Sequence, residues 1–331
     1  MAEVVLDGLS KAFGKTQALQ GVSMTIPDGA FVVLLGPTGA GKTTTLRLIS
    51  GLDAPDAGDV RIGGASVLAD TPARRDVAMV FQQYSLYPHL SVRDNLAFPL
   101  RSPILNWPEP QIAARVQDVA QVLRIAHKLD NKATRLSGGE MQRVSIGRAL
   151  VRSPRIFLMD EPLSSLDAKL RAELRVELKR IHTDLGATFL YVTHDQIEAM
   201  TMASHVGVLD CGRLVQFGAP REIYENPVST YVATRLGQPR INLLPAGLFP
   251  GAPRGATQIG LRPEHIRQGE GQAATVRRIE HLGDQTRLHL TLAGHGLITL
   301  TDAHSPLGPG DTLAIRPEDP LWFDAGGIRV I

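Results

Sequence analysis

The chain has 331 residues, 43% of them hydrophobic and 21% charged, a length that suits about two domains and a composition that buries a core and excludes disorder. Lys and Arg number 35 against 33 Asp and Glu, a net charge of +2 with no basic run, so a polyelectrolyte arm for nucleic acid is excluded. The single cysteine, Cys211, excludes an internal disulfide and a cysteine-built zinc site, and it fits a reducing compartment.

Glu3 and Asp7 stand where a secretory leader would carry basic and then apolar residues, so no export signal is expected. The longest apolar runs, such as Phe31 to Leu35 and Val206 to Leu209, fall far short of the ~20 residues that cross a bilayer. From Val4 to Phe31, β-rich pieces alternate with turn residues at Gly8, Gly14, Gly21 and Pro27-Asp28-Gly29, which predicts an antiparallel sheet. Phe31 to Leu35 then reads as a buried strand entering a glycine-rich turn and a helix over about 42–50.

Residues 109–130 put Ile112, Val116, Val119, Val122, Leu123 and Ala126 on one helical face and imply a helical subdomain. The β-rich runs 155–160 and 188–193, with an amphipathic helix over 167–185 between them, have the alternation of a parallel α/β sheet. A hairpin is expected at Asp210 to Arg213 and a helix near 227–236. Beyond a boundary near residue 237, Gly, Pro, Thr and short strands (275–279, 286–292, 312–315) predict a small all-β barrel or sandwich.

Gly36-Pro37-Thr38-Gly39-Ala40-Gly41-Lys42-Thr43, followed by Thr44, matches the P-loop pattern between a predicted strand and a predicted helix. Its glycines let backbone N–H groups converge on phosphate oxygens at a helix N-terminus. Lys42 then supplies a charge to the β- and γ-phosphates, and the Thr43 hydroxyl suits Mg²⁺. A metal-binding carboxylate is expected at the end of a neighbouring strand, where Asp160 follows Ile156 to Met159. Strand alternation is expected to aim Asp160 at the metal and Glu161 at a water beyond the γ-phosphate.

Leu136-Ser137-Gly138-Gly139-Glu140, opening a helix between the P-loop and Asp160, resembles the signature of the ATP-binding-cassette (ABC) ATPases, with Glu140 where Gln is usual. The resemblance covers roughly residues 1–236. It implies an α/β P-loop NTPase (RecA-like) nucleotide-binding domain with a helical subdomain at about 84–150. Over 237–331 it implies an all-β, OB-like domain of the TOBE type. ATP and Mg²⁺ are the implied cofactors. Phe13 matches the aromatic that stacks on adenine, and Gln82 matches the residue that senses Mg²⁺ and the γ-phosphate, with Gln83 beside it as an alternative. Leu166-Asp167 resembles the loop that crosses the dimer interface; Asp167 also reads as a helix cap. His194, between a strand and Asp195, matches the switch histidine, while the other nine histidines show no ligand pattern.

In this family Ser137 to Glu140 of one copy completes the nucleotide site of the other, so the resemblance implies a homodimer with two sandwiched ATP molecules. Catalysis is expected to rest on Glu161, His194 and Lys42, with Thr43, Gln82 and Asp160 at the metal. Tyr84 to Val92 and Asn95 to Leu100 resemble the docking region of sugar-importer ATPases, although those residues equally suit packing within the helical subdomain. Gly260 to Ile266 and Glu280 to Gly283 resemble the accessory β-domain of the maltose and glycerol-phosphate importers. RSPILNWPEP over 101–110 departs from that pattern. The reading is an ATPase subunit on the cytoplasmic face of the membrane, paired with two permease subunits and, indirectly, a solute-binding protein, importing a carbohydrate-class solute. Import of polyamine, iron, thiamine or an oxyanion by the same machinery is the alternative. A non-transport cassette is disfavoured because no second cassette or coiled-coil insertion is present.

Overall fold

The computed structural model describes residues 2–303 and 305–331, with His304 outside the described residues. The first strands, β1 (Val4–Phe13) and β2 (Thr16–Ile26), pair antiparallel as expected, and β1 pairs on its other side with β4 (Ala57–Ile62). Between them in sequence come β3 (Phe31–Leu35) and α1 (Lys42–Ser50). β4 (Ala57–Ile62) and the short β5 (Ala65–Ser66) complete a sheet of order β2-β1-β4-β5.

The chain continues through β6 (Val77–Val80), α2 (Val92–Ala97), α3 (Glu109–Val122), α4 (Gly138–Leu150), β7 (Ile156–Asp160) and α5 (Ala168–Leu185). It then runs through β8 (Thr188–Thr193), α6 (Gln196–Met202), β9 (His205–Asp210) and β10 (Arg213–Gly218). A second sheet takes the order β10-β9-β3-β8-β7-β6, with β6, β7, β8, β3 and β9 parallel and β10 antiparallel at the edge. Every residue of β3, β7 and β8 is buried, as strands covered on both faces require. The carboxyl ends of β3, β7 and β8 lie side by side: Leu35 is in register with Thr193, and Asp160 with Val192. That end is where an open parallel sheet binds ligands.

α5 buries Leu174, Leu178 and Ile181, a stripe of four- and three-residue spacing that covers the core while its charged face stays in water. In the helical region Ile112, Val116, Val119 and Leu123 are buried as expected, but Val122 is exposed. At 100° per residue Val122 falls well off the stripe defined by the other four, and α3 ends there.

The chain divides into two compact units, Met1–Pro220 and Arg221–Ile331, ahead of the boundary expected near residue 237. The division falls after the first residue of α7 (Pro220–Glu225), which the sequence reading missed, and the second unit continues with α8 (Thr230–Arg235), shorter than the helix expected over 227–236. Both belong with the β-rich part for a visible reason. Arg262, 2% exposed, donates to the carbonyls of Tyr224, Ala233 and Leu236, and Ala233 packs with Ile241, Leu321 and Phe323.

The remainder is all β: β11 (Asn242–Pro245), β12 (Gln258–Leu261), β13 (Ile266–His281), β14 (Gln285–Leu292), β15 (His295–Asp302), β16 (Thr312–Pro317), β17 (Leu321–Phe323) and β18 (Arg329–Val330). They form two four-stranded antiparallel sheets, β11-β12-β17-β18 and β15-β14-β13-β16, around a core that includes Ile259, Leu261, Leu288 and Leu290. β13 is far longer than the 275–279 stretch expected. Its glycines at 269 and 271 sit at φ +119° and +110° and form a bulge, so that Gln268 and Gln272 both face Ile315.

Candidate functional site

Residues 36–41 join the carboxyl end of β3 to α1. Gly41 sits at φ +101°, and a Cβ there would lie 2.7 Å from the Ala18 carbonyl oxygen and 2.6 Å from the Leu19 side chain; only glycine fits. Gly41 is the N-cap of α1 and brings no side-chain cap. The first-turn N–H groups are thus left for an anionic ligand, and the helix dipole favours one. Lys42 folds its ammonium over the loop, 2.9 Å from Gly36 O and 3.0 Å from Pro37 O. Thr38, Gly39, Gly41, Lys42, Thr43 and Thr44 line an open cleft together with Gln82 and Glu161, while Ala40 is buried.

The Thr43 hydroxyl donates to Asp160 Oδ1 at 2.9 Å. Burial raises the Asp160 carboxyl above the usual carboxylate range, against the Thr43 hydrogen bond, and neighbouring Glu161 adds to the rise. The pair is a hard oxygen donor set, the kind that suits Mg²⁺.

Asp160 ends β7, and Glu161 leaves the strand in a left-handed conformation, φ +42°. The two carboxylates take different partners with Glu161 in a turn, not on the strand whose alternation was expected to separate them. The turn is held by Glu161 N–H on Val192 O (3.1 Å) and by Ser164, whose N–H and Oγ both donate to Glu161 O. Such strain persists where the surroundings fix it. The Glu161 carboxylate is shared: Oε1 lies 3.4 Å from Lys42 Nζ and Oε2 2.9 Å from His194 Nδ1. His194 follows β8 at a solvated position, and Asp195 caps α6 through Ile197 N–H. Thr43 and Asp160 thus form one pair, and Lys42, Glu161 and His194 a linked set, at the carboxyl ends of neighbouring strands.

Of the two candidate glutamines, Gln82 lines the cleft and donates to Ser164 Oγ at 3.3 Å; the Gln83 carbonyl accepts from Ser85. Phe13 ends β1 and is 49% exposed, so the solvated face needed for stacking is present and a core role is excluded. Its ring lies under Lys11 Nζ at 5.4 Å.

Ser137 to Glu140 open α4 outside the lining of this cleft. Ser137 Oγ accepts from Glu140 N–H while Glu140 Oε2 accepts from Ser137 N–H, a full capping box. That bond, then Lys128, hold the Glu140 carboxyl below its usual range. Glu140 therefore does in the box what Gln would do. Asp167 caps α5 through Leu170 N–H.

The stretch 84–100 divides between the two expected roles. Tyr87 packs on Phe98 at 4.5 Å, and buried Asn95 bonds both the N–H and the carbonyl of Tyr87, which fixes 87–91 onto α2. Phe81, Tyr84, Phe98 and Pro99 nevertheless line a surface groove with Arg148 and Arg152. Arg148 stacks over Tyr87 and donates to Ser85 O. The sequence reading missed Arg148 and the buried Glu198, which accepts from Tyr191 and Thr193.

Residues 19–164 match the ABC transporter family and residues 259–323 the TOBE domain. The chain is similar to proteins named sn-glycerol-3-phosphate import ATP-binding protein UgpC. That of Ruegeria pomeroyi is 45% identical over 89% of this chain and 88% of the relative, and that of Ralstonia nicotianae 43% over 100% and 99%. That of Rhizobium meliloti is 44% identical over the whole of both chains. Among solved structures, a nucleotide-free ATP-binding cassette from an ABC transporter aligns with a TM-score of 0.61 at 26% identity, covering 69% of this chain and 96% of that one. The Clostridium perfringens cbiO1 protein, part of the ABC transporter complex cbiONQ, aligns with a TM-score of 0.63 at 26% identity, covering 67% and 90%.

Proposed function

Because the chain belongs to the ATP-binding proteins of ABC transporters, we propose that it powers import of a carbohydrate-class solute, with glycerol 3-phosphate, named in its relatives, as the first to test. It is an ATPase. The observation that carries the chemistry is the single Glu161 carboxylate held between Lys42 and His194, beside the Thr43–Asp160 pair. In this reading the 36–44 loop binds the triphosphate, Phe13 stacks on the base, and Thr43, Asp160 and Gln82 hold Mg²⁺. Mg²⁺ when bound neutralises charge on the β- and γ-phosphates. Glu161, oriented by His194, accepts the proton of the attacking water.

Ser137 to Glu140 lie outside the lining of the cleft, which fits completion of each site by a second copy, with Asp167 near that interface. Closure would exclude water and position the γ-phosphate. The groove lined by Phe81, Tyr84, Phe98 and Arg148 suits the apolar face of a helix from a membrane-embedded permease. No helix among the described residues is long and apolar enough to cross a membrane, so two permease subunits would supply the path and this protein would sit on the cytoplasmic face. The two units correspond in this reading to the ATPase and an accessory β-domain.

The test is Glu161→Gln in the full chain. ATP binding and ATP-dependent dimerisation should survive while phosphate release falls by roughly a hundredfold or more; near-normal release would overturn the assignment. Uptake of labelled glycerol 3-phosphate by vesicles holding the chain with its permeases tests the cargo, and uptake of another solute class alone would refute it.

A further inference from the structure

One side chain ties the loop after Glu161 to the loop that carries His194. Arg171 lies in the first turns of α5, its N–H on Asp167 O at 2.9 Å. Its guanidinium turns back over the helix start: Nη2 donates to Leu166 O at 2.8 Å and Ser164 O at 3.4 Å, and Nη1 lies 3.7 Å from Asp195 Oδ2. A cation near a helix N-terminus works against the dipole, so these contacts, not helix stability, account for an arginine at this position.

Both ends of the link lead to the site. Ser164 holds the Glu161 carbonyl and accepts from Gln82, and Ser165 Oγ lies 3.2 Å from the Tyr84 hydroxyl. On the other side, Asp195 adjoins His194, and its N–H donates to Thr193 Oγ1 at 2.9 Å. The 164–167 segment therefore touches the carboxylate-bearing turn directly, and touches the histidine's neighbour through Arg171.

We propose that Arg171 is a positioning residue for hydrolysis: it couples the 164–167 loop to Asp195, so that His194 is aligned on Glu161 when that loop is seated. This rests on the two-copy reading above, in which the loop meets the second protomer. Displacement of the 164–167 loop is then felt at the histidine through one guanidinium, which makes turnover responsive to the partner.

The test is steady-state ATPase kinetics on Arg171→Ala, Asp195→Asn and the double variant, with ATP-dependent dimerisation measured in the Glu161→Gln background. Asn at 195 keeps the cap to Ile197 and removes only the charge. Each single variant should lose roughly ten- to a hundredfold in kcat with KM changed less than about twofold, and Arg171→Lys should recover part of the loss. The double variant should be no worse than the worse single one, because both break the same link. Arg171→Ala should leave dimerisation of the Glu161→Gln protein intact. A kcat within twofold of the parent, multiplicative losses, or a KM that rises as kcat falls would overturn the proposal. Failure of Glu161→Gln itself to dimerise with ATP would instead remove the two-copy reading, leaving the kinetic arm to judge the Arg171–Asp195 link alone.

Discussion

Glu198→Ala removes the one acceptor shared by two buried hydroxyls. Glu198 Oε2 accepts from Tyr191 Oη at 2.9 Å and Thr193 Oγ1 at 2.6 Å, and the three residues are 2%, 0% and 3% exposed. A buried donor left without a partner costs about 1–3 kcal/mol, so two of them predict a loss of roughly 2–6 kcal/mol, a large share of the ~5–15 kcal/mol that holds a domain together. Glu198→Gln keeps an acceptor of the same size and should cost only about 1 kcal/mol. Hydrogen exchange of the β8 amides in urea measures the difference in the full chain without assuming that its two units unfold together.

The same pair of proteins has a signed pH dependence. Burial, the largest cause, raises the Glu198 carboxyl above the usual range. The folded state then favours the protonated form, so the wild-type advantage over Gln is fully present below the unfolded-state value and is lost as pH rises through the folded one. Acidification from neutral pH should therefore widen the gap between wild type and Glu198→Gln. A gap that narrows would show that the Thr193 and Tyr191 hydrogen bonds outweigh burial at this carboxyl, and an Ala variant no worse than the Gln variant would show that the two hydroxyls do not depend on it.

Glu140→Gln should behave with the opposite sign. The Glu140 carboxyl is held low by Ser137 N–H and then Lys128, so its contribution is present above the unfolded-state value and lost as pH falls through the folded one; the small deficit of the Gln variant at pH 7 should shrink on acidification, with nucleotide affinity unchanged. Phe13→Ala should weaken ATP binding by roughly two- to tenfold, the worth of one aromatic stack. Phe13→Trp should retain it, as read by titration with a fluorescent ATP analogue, and equal affinities in all three proteins would place the base elsewhere.

What the sequence disclosed about the site is what local spacing can carry. The 36–44 loop, the strand ending in Asp160 and the His194-Asp195 step are contiguous patterns, and each occupies the strand end expected of it. Arg171 and Glu198 escaped because their roles lie in side-chain bonds to carbonyls and hydroxyls of the adjoining loop and strand that no motif spacing announces. The sequence reading puts the boundary near 237, after α7 and α8, because no spacing announces that buried Arg262 holds their carbonyls. The long β13 was cut short in the reading because its glycines resemble a turn, while in the sheet they form a bulge within a continuous strand.

The shared position of Glu161 also bears on the order of events. Its ion pair with Lys42, at 3.4 Å and largely shielded from water, occupies the carboxylate that the proposed mechanism needs for the attacking water. Phosphate oxygens of a bound triphosphate compete for that same ammonium with the α1 N-terminus on their side. As they take Lys42, Glu161 is left to His194 and keeps its turn through Val192 and Ser164. In the proposed mechanism the carboxylate would thus be released by the substrate it serves and taken up again by the lysine once phosphate departs. A nucleotide-bound structure in which Lys42 still grips Glu161 would contradict this order.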